Sequence, residues 1–278
     1  MACKYCFITE HDTRREVWNQ NPIAGVNRAC TFVNVTPWAG DYPEERERFK
    51  RFPWDLLIGD TVGFTAITDP LYPRVGWALD IWLAEAAPRA KLITAVTKWP
   101  VSKSMMSRLA QIENFRLVVS ITGNDKIEKV STEKHLQTLA LAREAGVPAL
   151  PVVHPYIAGV SDLSFLPELK RLGYDAIDVK GLRYCDARMG GWMPADSKRF
   201  YHNEDEEILP EDGWRERVQG AGITLQSPRE WYLSEAVGRA PRLSPETAER
   251  VVTQIFKLAN VVSSSAEKVR EAAINRRL

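Results

Sequence analysis

Residues 115–153 read FRLVVSITGNDKIEKVSTEKHLQTLALAREAGVPALPVV. The apolar run Phe115–Thr122 predicts a strand, and Gly123-Asn124-Asp125 closes it as a turn. The spacing then predicts a helix over Thr132–Ala145, stopped by Gly146, and a second apolar strand over Ala149–Val153. Strand, helix and strand in succession make a βαβ unit, whose strands pair in parallel. Upstream, Thr61–Thr68 and Lys91–Thr97 are further strands, separated by a helix over Val75–Ala87 that Pro88 ends. A helix over Ser102–Ile112 carries Met105, Met106 and Leu109 on one side. Downstream come a helix over Leu163–Leu172, stopped by Gly173, and a strand over Ala176–Val179. The reading gives five strand–helix units and no internal repeat. The strands are apolar almost throughout, as expected where both faces of a sheet are covered.

Outside this region the alternation fails. Asn34–Gly40 reads as loop and Glu44–Arg51 as a charged, solvated helix. Arg188–Asp212 is polar, with an acidic run from Glu204 to Glu207, and reads as an irregular excursion. Ser227-Pro228-Arg229-Glu230 has the form of a capping box with proline at the first helical position. Another helix starts at Ser244-Pro245-Glu246, and Ser263–Ser265 breaks it before a last charged helix. The expected organisation is a barrel-like domain over 1–185 and an α-rich extension over 186–278.

A formal charge of +1, with 26% charged residues, excludes a strongly basic or acidic surface and gives nucleic-acid binding no bulk electrostatic support. The four cysteines, Cys3, Cys6, Cys30 and Cys185, are too scattered for a disulfide framework and suit reduced thiols in the cytoplasm. The sequence predicts neither a signal peptide nor a membrane span. It contains no GxxxxGK[ST], no GxGxxG after a strand, no HExxH and no GxSxG.

In a βα barrel, functional groups sit on the loops at the carboxyl ends of the strands. Taken in order, those ends supply Thr68-Asp69-Pro70, Lys98-Trp99-Pro100, Ser120-Ile121-Thr122, His154–Gly159 with Asp162, and Lys180 followed by Arg183, Tyr184 and Cys185. His154 and Lys180 could each donate a proton or contact a carboxylate, or play structural parts. At the amino terminus, Cys3-Lys4-Tyr5-Cys6 is a CxxC whose sulfurs could share one metal or cluster. Two thiolates do not close a site, since structural zinc and iron–sulfur clusters generally take four protein ligands. A zinc set of Cys3, Cys6, His11 and Cys30 would make the chain a non-catalytic metal-binding or interaction protein on a degenerate barrel.

Together these elements resemble the radical SAM superfamily, in the branch of spore photoproduct lyase and its relatives. Ala2–Phe7 matches the second half of a Cys-x3-Cys-x2-Cys loop with an aromatic residue before the last cysteine. Phe64–Pro70 resembles a strand ending in a Thr-Asp-Pro element, and Thr97–Pro100 the Thr-Lys-Ser element after the next strand. Val118–Thr122 resembles the strand after that. Ala142–Pro148 with Pro155–Asp162 resembles the helix, strand and loop that close on adenine. The likeness runs from residue 2 to about 184. The motif's first cysteine and the barrel's first strand would both stand ahead of Met1, so the expectation is a late start and poor cluster retention in the chain as written.

The resemblance implies a partial (β/α)6 TIM-type barrel and an enzyme with a [4Fe-4S] cluster that cleaves S-adenosylmethionine to start radical chemistry. Cys3 and Cys6 would be cluster ligands, and the backbone of Tyr5 would face adenine. Thr68 and Asp69 would hold the methionine amino group, Ser120 and Thr122 would lie near the ribose, and Ile157 with Gly159 would flank the adenine. Cys185 would return a hydrogen atom to the substrate, against the alternative of an inert structural thiol. The implied partners are a one-electron donor such as flavodoxin or ferredoxin and a small-molecule or macromolecular substrate that the sequence does not identify. Nucleic acid enters only by analogy with a DNA-lesion lyase.

Overall fold

The computed structural model describes residues 24–27, 32–35, 43–52, 54–59, 61–64, 69–182, 209–228 and 230–231. The chain forms two units. One takes in the described residues of His11–Val96 and Gln111–Arg116, the other those of Thr97–Ala110 and Leu117–Trp231. The fold is α/β, with parallel strands and interleaved helices, consistent with a partial TIM-type barrel.

In the first unit, β1 (Ala24–Asn27) pairs antiparallel with β2 (Phe32–Val35). Strand β2 runs parallel to β3 (Thr61–Phe64), and β3 is parallel to β4 (Leu92–Thr97) along Thr61–Leu92 to Phe64–Ala95. Neither β1 nor β2 is in the sequence reading, because each is only four residues long. Strand β2 therefore raises the count of parallel-run strands above five and gives Thr61–Phe64 a neighbour on the side that a five-strand count leaves open.

The helix read as solvated, here α1 (Pro43–Lys50), is anchored by Phe49, which is 1% exposed. Its ring meets Trp54 at 5.4 Å, Trp77 at 5.7 Å and Phe64 at 6.4 Å between centroids, all edge-on. Edge-to-face contact sets the positive rim of one ring against the negative face of another. Trp82 extends the cluster from Phe64 at 5.0 Å. Trp82 belongs to α2 (Gly76–Ala86), whose buried side chains Ala78, Leu79, Trp82, Leu83 and Ala86 recur at helical spacing. Three of the nine tryptophans, Trp54, Trp77 and Trp82, thus share one aromatic core with Phe49 and Phe64.

The second unit follows the sequence reading closely. Helix α3 (Lys103–Leu109) is capped by Ser102, and α4 (Thr132–Ala145) by Ser131, whose side chains accept from Met105 N–H and Lys134 N–H. Gly146 ends α4 in the left-handed conformation at φ 72°, as a glycine stop requires. Strands β5 (Phe115–Ser120), β6 (Ala149–Tyr156) and β7 (Ala176–Gly181) are parallel, with Ser120 beside Val152 and Val152 beside Asp178. Strand β6 is longer than the apolar run Ala149–Val153, because it continues through His154-Pro155-Tyr156 past a register shift.

Helix α5 (Leu166–Arg171) lies between β6 and β7 in sequence, and α6 (Trp214–Gly220) leads to β8 (Thr224–Leu225), parallel to β7. Tyr156 Oη donates to Asp212 Oδ2 at 2.6 Å and accepts from Arg217 Nη2 at 2.7 Å, which ties the start of α6 to β6. The Ser227 capping box forms as read, with Glu230 N–H donating to Ser227 Oγ and Ser227 N–H to Glu230 Oε2. The expected division at residue 185 falls within 183–208, outside the described residues.

Phe49→Ala should lower unfolding stability by about 3–5 kcal/mol, because it removes the ring on which the aromatic cluster closes. Urea denaturation followed by tryptophan fluorescence measures this directly.

Candidate functional site

Parallel register brings polar side chains together at the carboxyl ends of β5, β6 and β7. Val152, Ser120 and Asp178 are neighbours across the three strands, and His154 lies two residues beyond Val152 on the same face. The register shift between Val153 and Tyr156 re-aims the backbone there, as bulges do. Ser120 Oγ donates to the His154 carbonyl at 2.9 Å, and His154 Nε2 lies 2.8 Å from Asp178 Oδ2. Lys180 Nζ is 4.0 Å from the same carboxylate oxygen. Burial pulls the His154 pKa below the ordinary histidine value of 6.5. The Asp178 carboxylate works against that pull, while Lys180 and Lys98 reinforce it.

A second cluster lies on the loops after β4 and β5. The Glu128 side chain is 1% exposed, and its Oε1 accepts from Lys98 Nζ at 2.7 Å. Oε2 accepts from Thr122 N–H at 3.2 Å. His135, from α4, points its Nε2 at the Lys98 carbonyl at 2.9 Å, so Nε2 carries the proton. Its Nδ1 is enclosed without a hydrogen-bond partner, 3.8 Å from Glu128 Oε2. Desolvation holds His135 below 6.5, against the raising influence of Glu128.

The loops after β5 and β6 lock onto each other. Asn124 Nδ2 donates to the Val160 carbonyl at 2.6 Å, and Asp162 N–H to the Thr122 carbonyl at 3.3 Å. Gly123, at φ 73°, packs so closely that a Cβ there would fall 1.7 Å from the Asp162 carbonyl oxygen. Only glycine fits that approach.

The sequence-predicted residues divide accordingly. Ser120, Thr122, Ile157 and Gly159 come together at one end of two adjacent strands. Ser120, Thr122 and Ile157 are at most 2% exposed, and each is engaged internally. Thr122 Oγ1 accepts from Asn124 N–H, and Ile157 N–H donates to Ser161 Oγ. Gly159, at φ 67°, is the exposed tip. Asp69 belongs to the other unit and accepts from Leu71 N–H through Oδ1 at 3.0 Å. Cys3, Tyr5, Cys6, His11, Cys30, Thr68, Arg183, Tyr184 and Cys185 lie outside the described residues.

Three residues of the clusters escape the sequence reading. Asp178 had a visible signal, as an acid inside the apolar strand Ala176–Val179. Glu128 sits in the polar stretch Asp125–Lys129, and His135 in an amphipathic helix, where nothing sets either apart.

Against known proteins, no family profile matches the chain, and no curated protein matches it. Among solved structures it is similar to SuiB from Streptococcus suis, at TM-score 0.43 and 13% identity, over 65% of this chain and 42% of that one. It is also similar to a spore photoproduct lyase point mutant, at TM-score 0.43 and 12% identity, over 84% of this chain and 71% of that one. The chain thus spans less than half of SuiB. Among the described residues no group of three or more His, Cys, Asp or Glu side chains could hold a metal, and no helix is long and apolar enough to cross a membrane.

Two stability outcomes follow from the Glu128 cluster. Glu128→Ala should lower unfolding stability by about 3 kcal/mol, since it strands a partly buried ammonium and a buried N–H. His135 is held below 6.5 in the folded chain, so the unfolded chain takes up the proton first as pH falls. Its stabilising effect is therefore present above 6.5 and is lost on acidification through the folded value. His135→Gln, which keeps a donor for the Lys98 carbonyl, should flatten the fall in urea midpoint between about pH 7.5 and pH 5.

Proposed function

We propose that this protein is a radical SAM enzyme acting on an unidentified substrate. The observation that carries the reading is the joining of two separated sequence elements, Ser120-Ile121-Thr122 and Ile157-Ala158-Gly159, at the carboxyl ends of adjacent parallel strands, in a chain that also has Cys3-Lys4-Tyr5-Cys6. Carboxyl-end loops are where such a fold builds its sites. Residue chemistry suits parts of S-adenosylmethionine separately in each unit. In one, the carboxylate of Asp69 suits an ammonium group, and in the other the turn at Ala158-Gly159 offers a small, exposed backbone surface for a flat base. Ser120, Thr122 and Ile157 support that turn from beneath, since their polar groups are engaged within the protein.

On this reading Cys3 and Cys6 hold a [4Fe-4S] cluster, and Tyr5 and Thr68 complete the cofactor contacts with Asp69. When bound, the cluster and S-adenosylmethionine supply a one-electron cleavage that begins radical chemistry. Cys185, past the end of β7 in sequence, would hold the hydrogen atom returned to substrate. A flavodoxin- or ferredoxin-type protein would supply the electron. The Lys98–Glu128 pair, whose carboxylate is buried, ties the loop after β4 to the stretch after β5.

Anaerobic reconstitution of the longest reading frame, including any residues encoded ahead of Met1, should give about four irons and four sulfides per chain. Cys3→Ser and Cys6→Ser should each abolish the iron absorbance. Stoichiometric zinc with no iron would overturn the proposal in favour of a structural metal site. In the reconstituted protein, Asp69→Ala should weaken S-adenosylmethionine binding by about 1.5–3 kcal/mol, read by calorimetry, as expected for loss of a charge-assisted hydrogen bond.

A further inference from the structure

Ala158 and Gly159 form the tip of a turn that is closed on one residue, Ile157. The Ile157 carbonyl accepts from Val160 N–H at 3.0 Å and from Ser161 N–H at 2.8 Å. Its own N–H donates to Ser161 Oγ at 2.9 Å, and that hydroxyl donates onward to the Pro155 carbonyl at 3.4 Å. Ser161 thus engages both peptide groups of Ile157, which is buried at the base of the turn. Gly159 stands exposed, and among the described residues neither its N–H nor its carbonyl has a hydrogen-bond partner. A closed turn with an open donor and acceptor at its tip can meet the edge of a ligand. Where the tip stands depends on what holds the turn.

Asn124 holds it from the loop after β5. Its Nδ2 donates to the Val160 carbonyl at 2.6 Å, from 36 residues away in sequence. Its Oδ1 accepts from Lys126 N–H at 2.9 Å, so the amide has only its NH2 end to present to Val160. The Asn124 backbone is equally fixed. Its N–H donates to Thr122 Oγ1 at 3.3 Å, and its carbonyl accepts from Ile127 N–H at 3.2 Å and Glu128 N–H at 3.3 Å. A side chain locked by its own loop acts as a strut on the loop that it reaches.

We infer that Asn124 and Ser161 are positioning residues for the adenine of S-adenosylmethionine, setting the placement of the Ala158-Gly159 tip that the base meets. The inference rests on the radical SAM reading above. That reading gives the methionine end of the cofactor to Thr68 and Asp69, so loss of either clamp should act on the base alone. Asn124→Asp isolates the effect. It nearly keeps the shape and retains the acceptor for Lys126 N–H, but it sets a carboxylate oxygen against the Val160 carbonyl. Two acceptors then face each other and the strut is lost.

The test uses the reconstituted longest reading frame, with S-adenosylmethionine titrated by calorimetry and L-methionine, which lacks the base, followed by its effect on the cluster spectrum. Asn124→Asp should weaken S-adenosylmethionine binding about tenfold while leaving L-methionine binding and iron content unchanged. Ser161→Ala should do the same, and Ser161→Thr, which keeps a hydroxyl, should recover most of the affinity. Unchanged S-adenosylmethionine affinity in Asn124→Asp and Ser161→Ala would overturn the inference. Equal weakening of both ligands, or a loss of iron in step with the urea midpoint, would also overturn it, because a merely structural role moves all of these together. Iron-loaded wild type with unaffected variants refutes the positioning inference and leaves the radical SAM reading standing, whereas a wild-type chain that takes up no iron ends both.

Discussion

The Glu128 carboxylate has 1% of its side chain exposed, and the local structure of one unit is organised by the need to satisfy it. An ionised group taken out of water is tolerated only if it is paired and hydrogen-bonded. Lys98 supplies the charge, from the loop after β4, and Thr122 N–H supplies a bond, from the end of β5. Helix α4 brings His135 to the same place, where its Nε2 donates to the Lys98 carbonyl. One buried acid therefore links the exits of two strands to the helix that follows them. From Thr122 the constraint passes to Gly123 and Asn124, which hold the loop after β6 through Asp162 and Val160.

Two histidines with depressed pKa values do different physical work. His135 is enclosed, its Nε2 given to a carbonyl and its Nδ1 turned toward Glu128. It fills space and terminates a hydrogen-bond chain. His154 has an open edge and a carboxylate behind it. Similar burial effects on pKa therefore do not identify similar roles; the second nitrogen of each ring does.

The aromatic core of the other unit makes the opposite point about local patterns. Pro43–Lys50 is charged almost throughout, and its single phenylalanine is what the structure uses. A helix is held by the few side chains that meet a complementary surface, and that surface here comes from Trp54, Phe64 and Trp77. No periodicity within eight residues could reveal it.

The sequence by itself determined the elements whose causes are local. Ser131 and Gly146 set both ends of Thr132–Ala145, and the apolar runs set β4, β5 and β7, because capping, left-handed stops and two-faced burial leave marks on neighbouring residues. It also pointed to His154 and Lys180 as ionisable groups at strand ends. Short strands such as Phe32–Val35 left no such mark, since their stability comes from pairing with distant backbone. Tertiary structure alone decided that Asp178 sits behind His154, that Ser120 holds its carbonyl, and that Glu128 is buried against Lys98. Those relations depend on register between strands and on loop packing, and the free energy of burying a charge or orienting a ring is a property of the assembled neighbours.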